Sequence, residues 1–255
     1  KSKLHSSKNY WKGDNKWLKR NTKQEKTLNI LDKTKKHNQF DYTEIFRHIR
    51  TNIEFSTVDK EIKSISITST QPGWSKNNNI YELSLYFCYK ISKSIARWLW
   101  FKKTMLHRYM KMIKLNKDWL MPWIEIGKTH RFNPEYIQKM SDPSFIGTLS
   151  VLTGGVHVPN PSELLGSDVF KEYMNVLKQN YDFIIVDCAP VGTISDAIPV
   201  GNAVDGTIFV VSAQDTKRKD AANCISLLQR NNVNVLGSVL TKSDTGSGSY
   251  SYYYY

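Results

Sequence analysis

The stretch that decides the fold reads Ile65-Ser-Ile-Thr-Ser-Thr-Gln-Pro-Gly-Trp-Ser-Lys76. Its first half is a short run of β-branched and small residues, which predicts a strand. Its second half contains Pro72-Gly73 and ends in a lysine. A phosphate-binding loop (P-loop) needs glycines, because their backbone N–H groups close around the phosphates, and a lysine for the β- and γ-phosphates. The stretch therefore predicts a strand that leads into such a loop.

The loop departs from the usual P-loop pattern at three positions. Ser75 stands in the place of the second glycine, and Asn77 and Asn78 stand where a Ser or Thr would bind Mg²⁺. Lys76 is the expected catalytic group on the phosphates, and Asn77 is expected beside the metal. The residues of the loop that we expect to contact a nucleotide are Pro72, Gly73, Ser75, Lys76, Asn77 and Asn78.

The composition indicates a soluble, globular protein with an acidic partner. Of the 255 residues, 40% are hydrophobic and 23% are charged, and the formal net charge is +13. Such a charge suits nucleic acid, a nucleotide or an anionic membrane surface. The three cysteines lie far apart, without metal-ligand spacing, which indicates reduced intracellular thiols. The apolar window 80–101 contains charged residues and is not a membrane span.

Composition also divides the chain. Residues 1–40 are rich in Lys, Asn and Ser and predict a flexible basic tail; a basic arm for a membrane or for nucleic acid is the weaker alternative. We expect the folded domain over 41–245 and a tyrosine-rich tail over 246–255. Within the domain, residues 74–131 are anomalous, because they are basic and show neither strand nor helix periodicity. This segment holds five of the seven tryptophans, Trp74, Trp98, Trp100, Trp119 and Trp123.

Isoleucines at helical spacing predict a helix over residues 41–56. Glu44, Arg47 and Arg50 are three residues apart and share one side of that helix. Two explanations stay open. The charges could form an ion pair within a solvated helix face, or they could contact another subunit.

From about residue 149, strands and helices alternate. This alternation predicts a P-loop NTPase-like, doubly wound α/β sheet that is mostly parallel, with helices on both faces and ligands at the carboxyl ends of the strands. The predicted strands cover 62–69, 149–155 (which ends in two glycines), 183–187, 206–211 and 233–240. The predicted helices are one that Ser162 caps, one over 170–180 and one over 219–231.

Phe183-Ile-Ile-Val-Asp187 is a continuous apolar run that ends in an acid, and it looks like a Walker B strand. An aspartate at the tip of a buried strand can hold Mg²⁺ beside nucleotide phosphates. Asp187 is therefore the second expected catalytic residue and an expected metal ligand.

These features together resemble the bacterial tyrosine kinases that control capsule and exopolysaccharide synthesis, in their separate cytoplasmic form. The resemblance covers residues 41–73 and 149–255. The segments that carry it are Glu44-x-x-Arg47-x-x-Arg50, Ser69-Thr-Gln-Pro-Gly73, Val158-Pro-Asn-Pro-Ser-Glu-Leu-Leu165, Phe183 to Pro190 with Asp196-Ala197, and the terminal tyrosines.

The resemblance implies an ATP- and Mg²⁺-dependent protein-tyrosine kinase that phosphorylates itself. The implied acceptors are Tyr250, Tyr252, Tyr253, Tyr254 and Tyr255. It implies a homo-oligomeric ring assembled through Glu44, Arg47 and Arg50. The implied partners are a membrane adaptor, which activates the kinase at the inner face of the cell membrane, and a tyrosine phosphatase; no nucleic acid is expected. Thr241-Lys242 stands where many relatives have Asn before a basic residue, and the resemblance therefore implies weaker adenine recognition.

The family's second acidic motif, Asp-x-Asp-x-Arg, is missing. Its place falls near Arg97-Trp-Leu-Trp-Phe-Lys-Lys103. One hypothesis explains the whole middle segment: much of 74–131 is translated out of frame. Lys76-Asn77-Asn78 can be encoded so that a one-base shift gives Lys-Thr-Thr, and the same shift after Lys93 permits Leu-Leu-Asp-Gly.

Three hypotheses about function follow. The first is a tyrosine kinase with impaired activity, since the magnesium Ser/Thr and the second acidic pair are replaced. The second is a catalytically inactive, oligomeric regulator of the same family. The third is a partitioning-type P-loop ATPase, which suits the basic charge but gives the tyrosine tail no role.

Overall fold

The computed structural model describes residues 48–53, 55–56, 61–71, 148–152 and 161–242, and the backbone of 95–99, 138–140 and 153. By its internal contacts the chain divides into Lys1–Phe40 and Asp41–Tyr255. Only the second unit contains described residues. The predicted tail and domain boundaries at 40, 245 and 246 lie outside the described residues and stay predictions.

One seven-stranded sheet organises the second unit. The strands are β1 (Ser64–Ser69), β2 (Ile95–Leu99), β3 (Gln138–Met140), β4 (Leu149–Thr153), β5 (Phe183–Asp187), β6 (Gly206–Ser212) and β7 (Val235–Thr241). Their order across the sheet is β3-β4-β2-β5-β1-β6-β7. Every neighbouring pair is parallel except β3 and β4, which run antiparallel. The predicted α/β class with a mostly parallel sheet is confirmed.

The central strands are buried along their whole length. All five residues of β5 and all six of β1 are buried, as expected for parallel strands covered by helices. The polar residues of β1 tolerate burial because their hydroxyls find partners. Ser66 Oγ lies 2.8 Å from Thr207 Oγ1 on β6, and Thr68 Oγ1 donates to Ala189 O at 2.7 Å.

Helices connect the strands. The described helices are α1 (residues 48–53), α2 (Pro161–Leu165), α3 (Asp168–Asn180), α4 (Ala197–Ala203) and α5 (Arg218–Arg230). Ser167 caps α3, because its side chain accepts a hydrogen bond from Phe170 N. The apolar sides of α3 and α5 pack into one core with β5, through Phe170, Tyr173, Leu177, Cys224 and Leu228.

At the amino ends of β1 and β6, Asp205 joins three elements. Its carboxylate accepts hydrogen bonds from Ser64 N and Ser64 Oγ, both at 2.9 Å, and from Lys63 N at 3.1 Å. Lys178 Nζ of α3 lies 2.9 Å from the same carboxylate. Burial raises the pKa of Asp205, but these hydrogen bonds and the Lys178 charge outweigh it, so the pKa lies below its ordinary value. Asp205 therefore links the sheet to α3 and has a structural role.

The predicted elements agree with the structure to within two residues at the ends of β1, β4, β5, β6, β7, α3 and α5. Of the helix predicted over 41–56, residues 48–53 are helical, and the described residues 55–56 form a turn instead. Three described elements, β2, β3 and α4, are absent from the prediction. Within the anomalous segment 74–131, the structure describes β2, which lies inside the sheet between β4 and β5.

The expectation that Ser162 caps its helix is wrong. The helix begins at Pro161, so Ser162 lies inside it. Proline suits the first helical position, because its fixed φ matches the helix and its missing N–H is not needed there. The Ser162 hydroxyl instead donates to the Asp196 carboxylate, in the segment that follows β5.

Candidate functional site

Three parallel strands end side by side around Asp187. This residue ends β5 and lies in register with Ile67 of β1 on one side and with Leu99 of β2 on the other. Only 3% of Asp187 is exposed. The carboxyl ends of parallel strands share one edge of the sheet, where α/β proteins bind ligands. This edge is therefore the candidate functional site, and Asp187 is the acidic residue at its centre.

The loop that follows Asp187 is fixed by β1. Cys188 N donates to Ile67 O at 2.9 Å. The Thr68 hydroxyl donates to Ala189 O at 2.7 Å and accepts from Val191 N at 3.1 Å. One buried hydroxyl thus holds both sides of Pro190. The position of the loop beside Asp187 depends on the strand that leads toward the predicted phosphate-binding loop.

The same loop touches the last described residues before Pro72. A Cβ placed on Gly192 would collide with the Thr70 carbonyl and would lie 3.2 Å from the Cys224 sulfur of α5. Thr70 is 4% exposed, and burial raises the pKa of the Cys224 thiol. Gly192 is needed because the loop, the end of β1 and α5 meet there without room for a side chain.

A second buried carboxylate lies on the segment after β5. Asp196 is 1% exposed, and its Oδ1 accepts from Ser162 Oγ of α2. Its Oδ2 is buried and has no hydrogen-bond partner among the residues that the structure describes. Asp196 occupies the N-cap position of α4 but makes no side-chain cap bond. The carboxylate therefore joins α2 to α4 instead of capping its own helix.

The far end of the site lies at the ends of β6 and β7. Thr241 O accepts from Ala213 N at 2.8 Å, and the Thr241 hydroxyl donates to Val211 O at 3.3 Å. Beyond it, Lys242 Nζ pairs with Asp215 Oδ2 at 2.6 Å. Hydrogen bonds from Lys242 and from Ser212 lower the pKa of Asp215. Thr241 and Asp187 are separated by two strands, about 14 Å at the usual strand spacing.

The donor set suits Mg²⁺ bound together with a phosphate ligand. Within the described ranges, no group of three His, Cys, Asp or Glu side chains could hold a metal ion by itself. Mg²⁺ commonly uses only one or two carboxylates and takes its remaining ligands from water and from substrate phosphates. The single buried carboxylate of Asp187 fits that arrangement.

Curated proteins match most of the chain, and two of them show its family. The chain is 32% identical to CapB of Staphylococcus aureus over 213 residues. The matched region covers 84% of this chain and 90% of CapB. The chain is 30% identical to tyrosine-protein kinase YwqD of Bacillus subtilis over 213 residues. The matched region covers 83% of this chain and 86% of YwqD. The chain belongs to the capsule family of bacterial tyrosine kinases. No protein-family model matches the chain.

Solved structures agree with this family assignment. The chimerical protein CapA2B2 superposes with a TM-score of 0.66 and 27% identity, over 79% of this chain and 85% of that one. A ParA family ATPase from Chlorobium tepidum shows the same fold at 14% identity, with a TM-score of 0.56 over 72% of this chain and 76% of that one. The chain is thus a tyrosine kinase by family, on a fold that ParA-type ATPases share.

Three of the residues predicted for the kinase site lie among the described ones. Asp187 and Thr241 both lie at the carboxyl edge of the sheet, and Arg50 lies half-buried in α1. The roles assigned to them stay predictions. The other predicted residues lie outside the described ones: Glu44, Arg47, Pro72, Gly73, Ser75, Lys76, Asn77, Asn78, Tyr250, Tyr252, Tyr253, Tyr254 and Tyr255.

Sequence reasoning missed Thr68, Gly192 and Asp215 as parts of this edge. A signal for Thr68 was present, since Ser64, Ser66 and Thr68 alternate with isoleucines in a strand expected to be buried. Asp215 and Gly192 carry no such local signal, because their partners Lys242 and Thr70 are distant in the sequence. Across the described ranges, no helix is both long and apolar enough to cross a membrane.

Proposed function

We propose that this chain is an ATP-dependent protein-tyrosine kinase of impaired activity. It phosphorylates its own C-terminal tyrosines and regulates capsular or exopolysaccharide synthesis. The observation that carries this proposal is the buried Asp187 at the carboxyl edge, in register with the strand that leads toward Lys76. Family membership supports the reaction type, because the relatives are named tyrosine-protein kinases.

In this proposal, Lys76 contacts the phosphates and Asp187 binds Mg²⁺, with Asn77 and Asn78 near the metal. Pro72, Gly73 and Ser75 surround the phosphates, and Thr241 lies toward the base. Bound Mg²⁺-ATP supplies the γ-phosphoryl group and neutralises part of its charge. The protein contributes position: Thr68 and Gly192 fix the loop beside Asp187, so that little rearrangement is needed when the nucleotide binds.

Impairment follows from the strand beside Asp187. Leu99 ends β2 and lies in register with Asp187, at the place where the family's second acidic motif is expected. The sequence of β2, Ile-Ala-Arg-Trp-Leu, contains no acid. A second carboxylate that could assist the metal or accept the tyrosine proton is therefore missing from this strand. The same observation favours the second candidate function, an inactive regulator of the family.

The proposed setting follows the family. Glu44, Arg47 and Arg50 would assemble a homo-oligomeric ring, and a membrane adaptor would hold the cytoplasmic chain at the inner face of the membrane. A tyrosine phosphatase would reverse the modification of Tyr250 and Tyr252 to Tyr255. The names of the relatives support these partners only through family membership.

The test is ATP-dependent phosphotyrosine on the full chain, measured by intact mass with Mg²⁺ and ATP. We expect slow incorporation that the Asp187→Asn substitution lowers by about 10²–10³-fold, the usual cost of a lost charge-stabilising group. Asp168→Asn is the matched control, because Asp168 is an exposed carboxylate on α3. Absence of phosphotyrosine in the unsubstituted chain would contradict the kinase and favour the regulator.

The frame hypothesis has a separate test, the nucleotide sequence across codons 70–150 together with the intact mass. Small insertions or deletions whose correction restores Gly-Lys-Thr and Asp-x-Asp would support out-of-frame translation of 74–131. A single continuous frame with a matching mass would refute it, and the departures at Ser75, Asn77 and Asn78 would then belong to the protein.

A further inference from the structure

The strand β7 forms one edge of the described sheet. It pairs with β6 on one side, and no described strand lies on its other side. Thr241 O accepts from Ala213 N, so the backbone of Thr241 faces β6. Alternate residues of a strand face the same way. The backbone groups of Val239 therefore face β6, while those of Ser238 and Leu240 point away from the sheet.

This edge lacks the usual protection against strand addition. Edge strands are commonly blocked by a charged residue or a proline. The sequence of β7, Val-Leu-Gly-Ser-Val-Leu-Thr, has neither. Leu240 is 59% exposed, and a Cβ on Gly237 would meet no atom within 4 Å. The edge therefore offers backbone hydrogen bonds, an exposed leucine and an open space above a glycine, which suit an added strand.

The chain carries a segment that matches this edge in length and chemistry. Lys242, directly after β7, has a φ of 53°, a left-handed conformation that suits a change of chain direction. Residues 243–249 are rich in Ser and Gly, and Tyr250-Ser-Tyr-Tyr-Tyr-Tyr255 follows. Six extended residues span roughly 20 Å and the seven of β7 roughly 23 Å. Tyrosine favours strands, and an aromatic ring opposite an edge glycine covers its exposed backbone.

We infer that the C-terminal segment Tyr250–Tyr255 binds the free edge of β7 as an antiparallel strand of the same chain. The segment thereby closes the sheet edge and covers Gly237 and Leu240. The binding itself needs no ATP, so it goes beyond the proposed kinase function and can be tested without it.

Amide hydrogen exchange of the full chain, without nucleotide, is the first test. The comparison variant replaces Tyr250 and Tyr252 to Tyr255 by Ser, which changes no residue of the described core. We expect the Ser238 and Leu240 amides to exchange at least tenfold more slowly in the unsubstituted chain. The Val239 amide faces β6 and serves as the internal control, with equal rates in both proteins. Equal rates at Ser238 and Leu240 would overturn the inference.

The same experiment at several protein concentrations identifies the source of the added strand. Protection that is independent of concentration supports binding within one chain. Protection that grows with concentration would assign the edge to a second copy and overturn the inference.

A substitution on the edge itself gives an independent readout. Ser238→Pro removes an N–H that β6 does not use, and proline is tolerated on edge strands for that reason. Ser238→Thr is the matched control, because it keeps the N–H. We expect chymotrypsin to cleave after the tail tyrosines at least fivefold faster in Ser238→Pro than in Ser238→Thr. Equal cleavage rates, with equal urea midpoints, would overturn the inference.

Discussion

Buried carboxylates at the two ends of the parallel strands differ in how many hydrogen bonds they accept. At the amino edge, Asp205 accepts hydrogen bonds from Lys63, Ser64 and Lys178. At the carboxyl edge, Asp196 binds one hydroxyl, and its other oxygen has no partner among the described residues. The carboxylate of Asp205 stabilises the fold because its oxygens accept several hydrogen bonds. The carboxylate of Asp196 can still accept another hydrogen bond. The difference separates a structural edge from a candidate functional edge in one sheet.

The largest expected effect comes from breaking the amino edge. Asp205→Asn removes the partner of Lys178 and weakens the hydrogen bonds to β1. Because the pair is mostly buried, we expect the free energy of unfolding to fall by about 3 kcal/mol, the low end for a broken buried ion pair. Urea denaturation measures this change. The exposed pair Asp168–Lys171 is the control, and Asp168→Asn should cost less than about 1 kcal/mol. Equal losses in the two variants would contradict the structural role of Asp205.

A glycine substitution at the carboxyl edge should have the next largest effect. A Cβ on Gly192 would collide with the Thr70 carbonyl. We expect Gly192→Ala to cost about 1–3 kcal/mol in urea denaturation, as overpacking does, and to weaken nucleotide binding, because the end of β1 must shift. Gly166→Ala is the control, since its added Cβ would be in ordinary contact with the nearest atom at 3.4 Å. Unchanged stability in Gly192→Ala would show that the loop shifts to make room for the added Cβ at no cost in free energy.

A hydroxyl pair in the middle of the sheet offers a double-mutant test. Ser66 and Thr207 lie between the two edges and hydrogen bond each other at 2.8 Å. Ser66→Ala alone leaves a buried hydroxyl without its partner and should cost about 1–3 kcal/mol. Adding Thr207→Val removes that hydroxyl too. We expect the double variant to be less destabilised than the sum of the two single variants in urea denaturation; strict additivity would mean that the hydroxyls act independently.

The lowered pKa of Asp205 predicts how stability depends on pH. The pKa of the folded state lies below the ordinary value of 3.8, so the unfolded chain binds the proton more readily. The contribution of Asp205 to stability is therefore present above pH 3.8 and is lost as the pH falls through the folded pKa. Urea midpoints between pH 7 and pH 3 should fall more steeply for the unsubstituted chain than for Asp205→Asn. Parallel curves would contradict the pKa shift.

The smallest effect is expected at the exposed end of the carboxyl edge. Lys242→Ala removes the ion pair with Asp215, which solvent and salt screen. We expect no measurable change in the urea midpoint at physiological salt. A clear loss of stability would show that the Lys242–Asp215 pair stabilises the fold. It would contradict the distinction between a structural amino edge and a functional carboxyl edge.

The fold was predictable where local pattern and burial agree. The apolar run Phe183–Asp187 predicts a buried strand, and the structure buries all of it. Helix α4 was not predictable, because Pro199 and Gly201 disfavour a helix interior. In the structure Pro199 lies in the first turn, where proline is tolerated. Gly201 is required because a Cβ there would come within 2.6 Å of Val233 Cγ1. Tertiary packing, which local propensity does not contain, decides this helix.

The candidate site was predictable in its parts and not in its contacts. An acid at the end of an apolar run identifies Asp187, and the parallel fold then predicts its position at the carboxyl edge. The contacts that fix the edge link residues far apart in the chain, such as Thr68 to Ala189 and Ser162 to Asp196. Sequence spacing carries no information on such pairs. The short strand β3, Gln-Lys-Met, likewise lacks β-branched residues and depends on its neighbour β4.

The pairing of β1 has a consequence for the time course of synthesis. Both neighbours of this strand come from much later in the chain, since Ile65 pairs with Ile185 of β5 and with Gly206 of β6. A ribosome that adds about 5–20 residues per second reaches Gly206 roughly 7–28 seconds after Ile65. Until Ile185 of β5 is added, roughly 6–24 seconds after Ile65, the strand has neither partner available. The nascent chain must keep Ile65 and Ile67 from aggregation until β5 and β6 emerge, so the centre of the sheet forms only after β2, β3 and β4 have been synthesised.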